Sequence, residues 1–294
     1  MNTGPARDWF GLPGFDPRPR RRGGFLYLLD EVGSTSDFLL GRGNPAPGRL
    51  CRWDGWGWHG GDRQIINPPE HVREGSLAIA RRQTSGRGRQ GRRWFNAGGL
   101  AMSWVVSPLP RHQVSRLAVW TGLMTADAVG RLSGRPVRLK WPNDLYLEDR
   151  KLGGMILDLV QRGPDRLLVA GLGLNVGPWP SETPAEVRAV AISLGSGPAT
   201  TPAMLAQHVL RSCDEQLPRF LDEGWGPYRD LYAALDHLRD RNVVLSAPGG
   251  TLSGRARGID DSGALLLEAE DGSLQTVLAG DVHVAGFGDG QEES

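Results

Sequence analysis

Between Gln83 and Trp94 the chain reads Gln-Thr-Ser-Gly-Arg-Gly-Arg-Gln-Gly-Arg-Arg-Trp, so glycines are interleaved with arginines and the run closes on an aromatic ring. Glycine lets the backbone approach a ligand closely and take positive φ. Arginine presents a fixed fork of donors suited to phosphate and carboxylate oxygens. Trp94 offers a face on which a planar base can stack. The chemistry that fits is enclosure of an anionic, base-containing ligand away from water. A solvated loop or an RNA-contacting segment has the same composition, so the run is ambiguous by itself.

Other segments narrow the choice. Upstream stands Glu31-Val32-Gly33-Ser34-Thr35-Ser36. Downstream come Lys140-Trp141-Pro142-Asn143-Asp144, then Arg150-Lys151-Leu152-Gly153-Gly154-Met155-Ile156, then Gly171-Leu172-Gly173-Leu174-Asn175-Val176. In this order and at these separations the chain resembles the biotin protein ligases from about Gly24 to Val284. The Gly/Arg run and the pair Lys140–Leu145 and Lys151–Gly154 carry most of the resemblance.

That resemblance implies ATP-dependent attachment of biotin to one lysine of a biotin carboxyl carrier protein, through a bound biotinyl-AMP. Two anions must then approach each other, the adenylate must escape hydrolysis, and a lysine must attack as the neutral amine. By resemblance, Lys151 offsets the charge between carboxylate and α-phosphate, and Asp144 orients or deprotonates the incoming lysine. Arg87 and Arg89 meet the acyl-phosphate region, Arg92 meets phosphates, Trp94 stacks on adenine, and Asn175 positions phosphate or metal. Ser34, Thr35, Ser36, Gln83, Gly86, Arg87, Gly88 and Gly154 bind biotin; Ser36 stands where the family has Asn and reaches less far. Magnesium travels on the ATP phosphates rather than in a carboxylate cage. From the residues alone, Lys151 is more often a surface lysine after a tight turn, and Asp144 is equally an Asx-type turn residue, Ser34 a helix cap and Trp94 a core anchor.

The elements that must position these groups are partly visible. Strands are expected at Phe25–Asp30, from Leu77, at Ala101–Val106, Val137–Trp141, Leu145–Leu147, Met155–Val160 and Leu167–Val176. Ser34 opens a short helix as a capping residue. Apolar positions from Val114 to Leu132 recur at helical spacing and stop at Gly134 and Pro136. Helices are expected at Pro202–Phe220, capped by Thr201, and at Tyr228–Leu238. The short turns at Glu148–Arg150 and Arg162–Asp165 demand antiparallel neighbours, which excludes a Rossmann layout despite Gly171-x-Gly173. From Asn242 short strands with Gly/Asp turns predict a small β-barrel. The fold class is α+β: a catalytic domain like that of class II aminoacyl-tRNA synthetases, with a mixed, largely antiparallel sheet, over 24–238, and an SH3-like C-terminal domain over 239–286. Residues 1–23 and 287–294 read as loose tails. Residues 41–75, rich in Gly, Pro and Trp, read as an insertion without clear elements.

With 294 residues and a net charge of +1, the chain is no polycation seeking nucleic acid. The arginines at 18 and 20–22 form only a local cluster. Two cysteines, Cys51 and Cys213, make neither a disulfide framework nor a Cys-based zinc site. No apolar run spans a membrane and no signal core opens the chain, so the expected location is cytoplasmic. No amphipathic helix pair precedes the first strand, so no operator DNA is expected as a partner; a homodimer stays open. Two competing readings remain: a lipoyl or octanoyl ligase or transferase of the same fold, and a nucleic-acid-binding protein using the Arg/Gly loop and its tryptophans.

Overall fold

The computed structural model describes residues 24–53, 58–95, 99–106, 114–162, 165–181, 183–195, 197, 200–247 and 250–285. The two tails and the arginine cluster at 18–22 lie outside these residues. The chain runs β1 (Phe25–Val32), α1 (Thr35–Leu39), β2 (Ala46–Trp53), β3 (Trp58–Ile66), β4 (Leu77–Gln83), the two-residue strands β5 (Gly86–Arg87) and β6 (Arg93–Trp94), then β7 (Leu100–Val106). After α2 (Val114–Ser133) come β8 (Arg138–Lys140), β9 (Asp144–Leu147), β10 (Arg150–Arg162), β11 (Asp165–Leu174), α3 (Ala185–Val190), α4 (Pro202–Glu223) and α5 (Arg229–Leu235). The last part holds β12 (Asn242–Ala247), β13 (Gly250–Ile259), β14 (Leu265–Glu268), β15 (Leu274–Val277) and β16 (Asp281–Val284).

One nine-stranded sheet, in the order β3-β2-β1-β4-β7-β11-β10-β9-β8, forms the main body. Only β1 and β4 pair in parallel; the other neighbours are antiparallel, as the short turns require. Both faces are covered, and the period of two sorts the side chains. Leu26 and Leu28 of β1, Ile79 of β4 and Leu172 of β11 join one core with α2 and α4. Tyr27, Leu29, Ala78 and Val169 face the other way, onto Phe38 and Leu39 of α1. That double burial explains why β1 and β11 read as near-continuous apolar runs rather than alternating ones.

Between the two long helices Trp120 stacks on Phe220, with centroids 4.9 Å apart, and Tyr228 meets both rings edge-on. Thr201 caps α4 by accepting a hydrogen bond from the Met204 backbone N–H at 3.3 Å, and Ser34 caps α1 in the same way through Asp37 at 3.3 Å.

Two expectations need correction. Residues 41–75 are not devoid of elements: β2 and β3 form an antiparallel hairpin that extends the sheet beyond β1. Its glycines and proline hid it, because they read as turn formers. The helix expected to run to Leu238 ends at Leu235, where Asp236 turns extended and its carboxylate accepts from the Leu238 N–H at 2.9 Å. The short helix α3 and the strand β16 were not anticipated from the sequence.

The C-terminal strands make a five-stranded antiparallel sheet, β15-β14-β13-β12-β16. Its inner residues Val243, Leu245, Ala256 and Leu265 belong to the same continuous core as α2 and β10. Trp141 Nε1 donates across the junction to the Gly263 carbonyl at 2.9 Å. Among the described residues no helix is long and apolar enough to cross a membrane.

Trp120 is 1% exposed. Replacing it with Ala removes the ring that joins α2 to α4, at an expected cost of about 3–5 kcal/mol. Urea unfolding at neutral pH measures it; a loss under about 1 kcal/mol would show that the helices collapse to fill the gap.

Candidate active site

Strand register assembles the charged groups. Lys140 of β8 lies opposite Asp144 of β9, Tyr146 of β9 opposite Lys151 of β10, and Asp144 again opposite Gly154. Cross-strand partners share a face, and so do residues two apart. All five therefore stand on one side of the sheet. Glu148 and Asp149 turn the chain between β9 and β10 with φ of 51° and 57°, and a bulge separates Lys151 from Gly153. Lys151 Nζ meets Asp144 Oδ1 at 2.8 Å. A Cβ at residue 154 would lie 3.0 Å from that same carboxylate oxygen and 3.6 Å from Nζ. Glycine there leaves the ion pair room. The preceding turn contains a cis Trp141–Pro142 bond, and Asn143 holds it by donating from Nδ2 to the Met155 carbonyl at 2.5 Å.

The floor is β11. A side chain at Gly171 would collide with Ser36 Oγ, and one at Gly173 would collide with the indole of Trp94. Gly171-x-Gly173 is thus bare backbone that admits two other side chains. Beside it runs a chain of short polar contacts. Gln83 Oε1 accepts from the Thr35 N–H at 2.7 Å and from Thr35 Oγ1 at 3.1 Å. Thr35 Oγ1 and Ser36 Oγ each lie within 2.9 Å of Ser103 Oγ. Asn175, 3% exposed, donates from Nδ2 to the Ile192 carbonyl at 3.2 Å and so ties the 191–194 segment beside Lys151; Ile192 N–H in turn donates to the Lys151 carbonyl at 2.9 Å.

The Gly/Arg loop closes the other side, and its arginines differ. Arg87 sits between two carboxylates: Nη2 donates to Asp158 at 3.0 Å, while Nε lies 3.0 Å from Asp37 as a charge contact too poorly aligned for a hydrogen bond. Arg89 donates to Asn143 Oδ1 at 3.2 Å and to the Gly280 carbonyl at 3.4 Å. Arg92 pairs with Asp281 at 2.9 Å. The C-terminal sheet therefore helps to position the loop.

These groups line one cavity of about 780 Å³. It takes in Ser34, Thr35, Ser36, Gln83, Arg87, Gly88, Arg89, Arg92, Trp94, Asp144, Lys151, Gly154 and Asn175. Gly86 is not in its wall; it pairs with Trp94 where β5 meets β6. Trp94 packs on Gly173 and still borders the cavity, with its buried Nε1 lacking a hydrogen-bond partner. Sequence reasoning passed over Lys140, Ser103, Asp158 and Asp281. Lys140 was visible in its motif. The others carry no local signal, since each gains meaning only from a partner far away in the chain. Among the described residues no group of three or more His, Cys, Asp or Glu side chains is disposed to hold a metal ion.

The mixed sheet carrying this cavity shares its core with the small antiparallel sheet that follows it in the chain. Residues 68–175 match the model of the Biotin/lipoate A/B protein ligase family, and residues 240–284 that of the Biotin protein ligase C terminal domain. The chain is 33% identical over 226 residues to the bifunctional ligase/repressor BirA of Escherichia coli, covering 75% of this chain and 70% of that protein. It is 31% identical over 217 residues to the biotin–[acetyl-CoA-carboxylase] ligase of Mycobacterium tuberculosis, covering 71% of this chain and 79% of that one. The structure of the Aquifex aeolicus biotin protein ligase in complex with biotin and ATP superposes with a TM-score of 0.67 at 25% identity, over 88% of this chain and 97% of that chain. This chain belongs to the biotin protein ligase family.

Behind the cavity, burial sets two unusual protonation states. The Asp236 carboxyl, 2% exposed, is pushed up to about 6, and its Oδ2 has no hydrogen-bond partner. Its neighbour His237, which borders the cavity, is pushed down to about 4, chiefly by burial and then by Arg241, so it stays neutral at pH 7. A carboxyl raised from 3.8 to about 6 on folding stabilises the protein below 3.8 and loses that contribution as pH rises to about 6. Asp236→Asn keeps the acceptor for Leu238 and removes the charge. It should stabilise the protein at pH 7.5 by on the order of 2–3 kcal/mol and by little at pH 4. Urea unfolding at both pH values checks this; a gain independent of pH would contradict the burial argument.

Proposed function

We propose that this chain joins biotin to ATP and transfers it to a lysine of a biotin carboxyl carrier protein, with the site residues acting as follows. The observation that supports this best is the Lys151–Asp144 pair at 2.8 Å beside a glycine floor, under a loop carrying Arg89 and Arg92. In the first step a biotin carboxylate oxygen attacks the α-phosphorus and pyrophosphate leaves. Lys151 screens the repulsion between the two anions and stabilises charge gathering on the phosphoryl oxygens. Gln83, Thr35 and Ser34 supply donors and acceptors for the polar ring of biotin, at the end of the cavity away from β8. In the second step the carrier lysine attacks the acyl carbonyl, an amide forms and AMP leaves; Asp144 takes the amine proton. ATP brings magnesium on its own phosphates, and Asn175 and the loop arginines meet that ligand. Arg87, held by Asp37 and Asp158, anchors the loop. In this reading the reaction is cytoplasmic.

Wild-type protein should release pyrophosphate from ATP when biotin is added and not when lipoate or octanoate is added; equal turnover with either fatty acid would overturn the substrate assignment. In the same assay Lys151→Ala should lose about 10²–10³-fold in rate. A near-normal rate would remove Lys151 from the mechanism.

The acyltransferase alternative would recruit a nucleophilic thiol. Burial raises Cys51 to about 11 despite the opposing charge of Arg49, and Cys213 is buried and raised further. Neither borders the cavity. The double variant Cys51→Ser, Cys213→Ser should keep activity within about three-fold, because neither thiol is a usable thiolate at neutral pH. Activity lost together with a stoichiometric acyl thioester on the wild-type protein would restore the alternative.

A further inference from the structure

Asn143 is held more firmly than a turn residue needs to be. Its backbone carbonyl accepts from the Met155 N–H at 2.9 Å, and its side-chain Nδ2 donates back to the Met155 carbonyl at 2.5 Å. These two bonds fix the amide. The nitrogen faces β10, so Oδ1, the acceptor, faces the other way. There it accepts from Arg89 Nη1 at 3.2 Å. One side chain therefore ties the Gly/Arg loop to the turn that carries Asp144, and that turn to β10.

The grip on Arg89 is one-sided. Nη1 donates to Asn143 Oδ1 and to the Gly280 carbonyl, and lies 3.9 Å from Asp281. Among the described residues neither Nε nor Nη2 donates a hydrogen bond, and Arg89 borders the main cavity. A planar fork gripped on one edge presents its other edge to an anion in a set direction. Of the two acceptors that grip it, only Asn143 is a side chain.

The place of this contact matters as much as its geometry. A second cavity, of about 420 Å³, adjoins the first. Gln90, Ala118 and Leu278 line the second and not the first, and Leu278 is 72% exposed, so this side is open to water. Arg89 and Asn143 line both. Their contact therefore stands in the partition between the ligand site and solvent. An acyl phosphate formed in the main cavity is shielded while that partition holds.

We propose that Asn143 is a positioning residue: acting through Arg89, it latches the loop onto the 141–144 turn and so retains the acyl-adenylate between the two half-reactions. This rests on the function proposed above.

Dissociation of the intermediate reads the latch directly. With radiolabelled biotinyl-AMP bound and unlabelled biotinyl-AMP as chase, Asn143→Ala should release the label about ten- to a hundred-fold faster than wild type, as expected for loss of one charge-assisted contact. Pyrophosphate release with biotin and ATP should fall much less, because the Lys151–Asp144 pair keeps its place. Asn143→Asp is isosteric; it keeps an acceptor for Arg89 and loses the donor to Met155. Its release rate should stay within about three-fold of wild type, whereas a residue that merely braces Met155 would suffer at least as much from Asp as from Ala. The Asp variant also serves if the Ala variant folds poorly. In an Arg89→Ala background, Asn143→Ala should add less than about two-fold, since the contact is already gone. An unchanged release rate in Asn143→Ala would overturn the proposal. So would release from the Asp variant beyond about three-fold of wild type, or additive effects in the double variant. Failure of the wild-type protein to bind biotinyl-AMP would instead defeat the function on which the proposal rests.

Discussion

Side chains from elsewhere can approach a β-sheet closely only where its strands are bare, and Gly154, Gly171 and Gly173 provide that bare strip on β10 and β11. Glycine weakens a strand, so its use here is tolerated because both strands are hydrogen-bonded on each side within a nine-stranded sheet. The space so created is taken up by Ser36, by Trp94 and by the Lys151–Asp144 pair. A side chain at any of the three positions would displace one of these groups, and the cavity would lose its floor or its charge pair.

Around that strip the electrostatics are graded. Near β4 the wall holds the neutral donors and acceptors of Thr35 and Gln83, backed by the buried Ser103. Toward β8 cations outnumber carboxylates. Arg87 stands between Asp37 and Asp158, whose carboxylates balance its charge and tie the loop to α1 and β10.

The C-terminal sheet is coupled to this arrangement in two ways. It shares the apolar core, through Val243, Leu245 and Leu265. It also reaches the loop directly, with Asp281 on Arg92 and the Gly280 carbonyl on Arg89. Polar contacts of this kind are individually weak and exposed. The buried bond from Trp141 to Gly263 is the firmer link, and it anchors the turn that presents Asn143 and Asp144.

The sequence by itself determined most of the elements and named many of the residues that line the cavity. Periodicity located α2 and α4, short turns required antiparallel pairing, and residues 34–36, 83–94, 140–154 and Asn175 supplied the predicted groups that line the cavity, Gly86 excepted. Such information is local: a cap, a turn or a motif is written in neighbouring residues. What only the tertiary structure decided depends on register and on distant partners. The β2–β3 hairpin was hidden by its own glycines and proline, and was stabilised by pairing with β1. Asp158 and Asp281 acquired roles because folding brought them to arginines 71 and 189 residues away. Asn143 was legible as a letter of its motif, but its contact with Arg89, 54 residues away, was not, because which loop side chain meets the turn depends on where the sheet places the two.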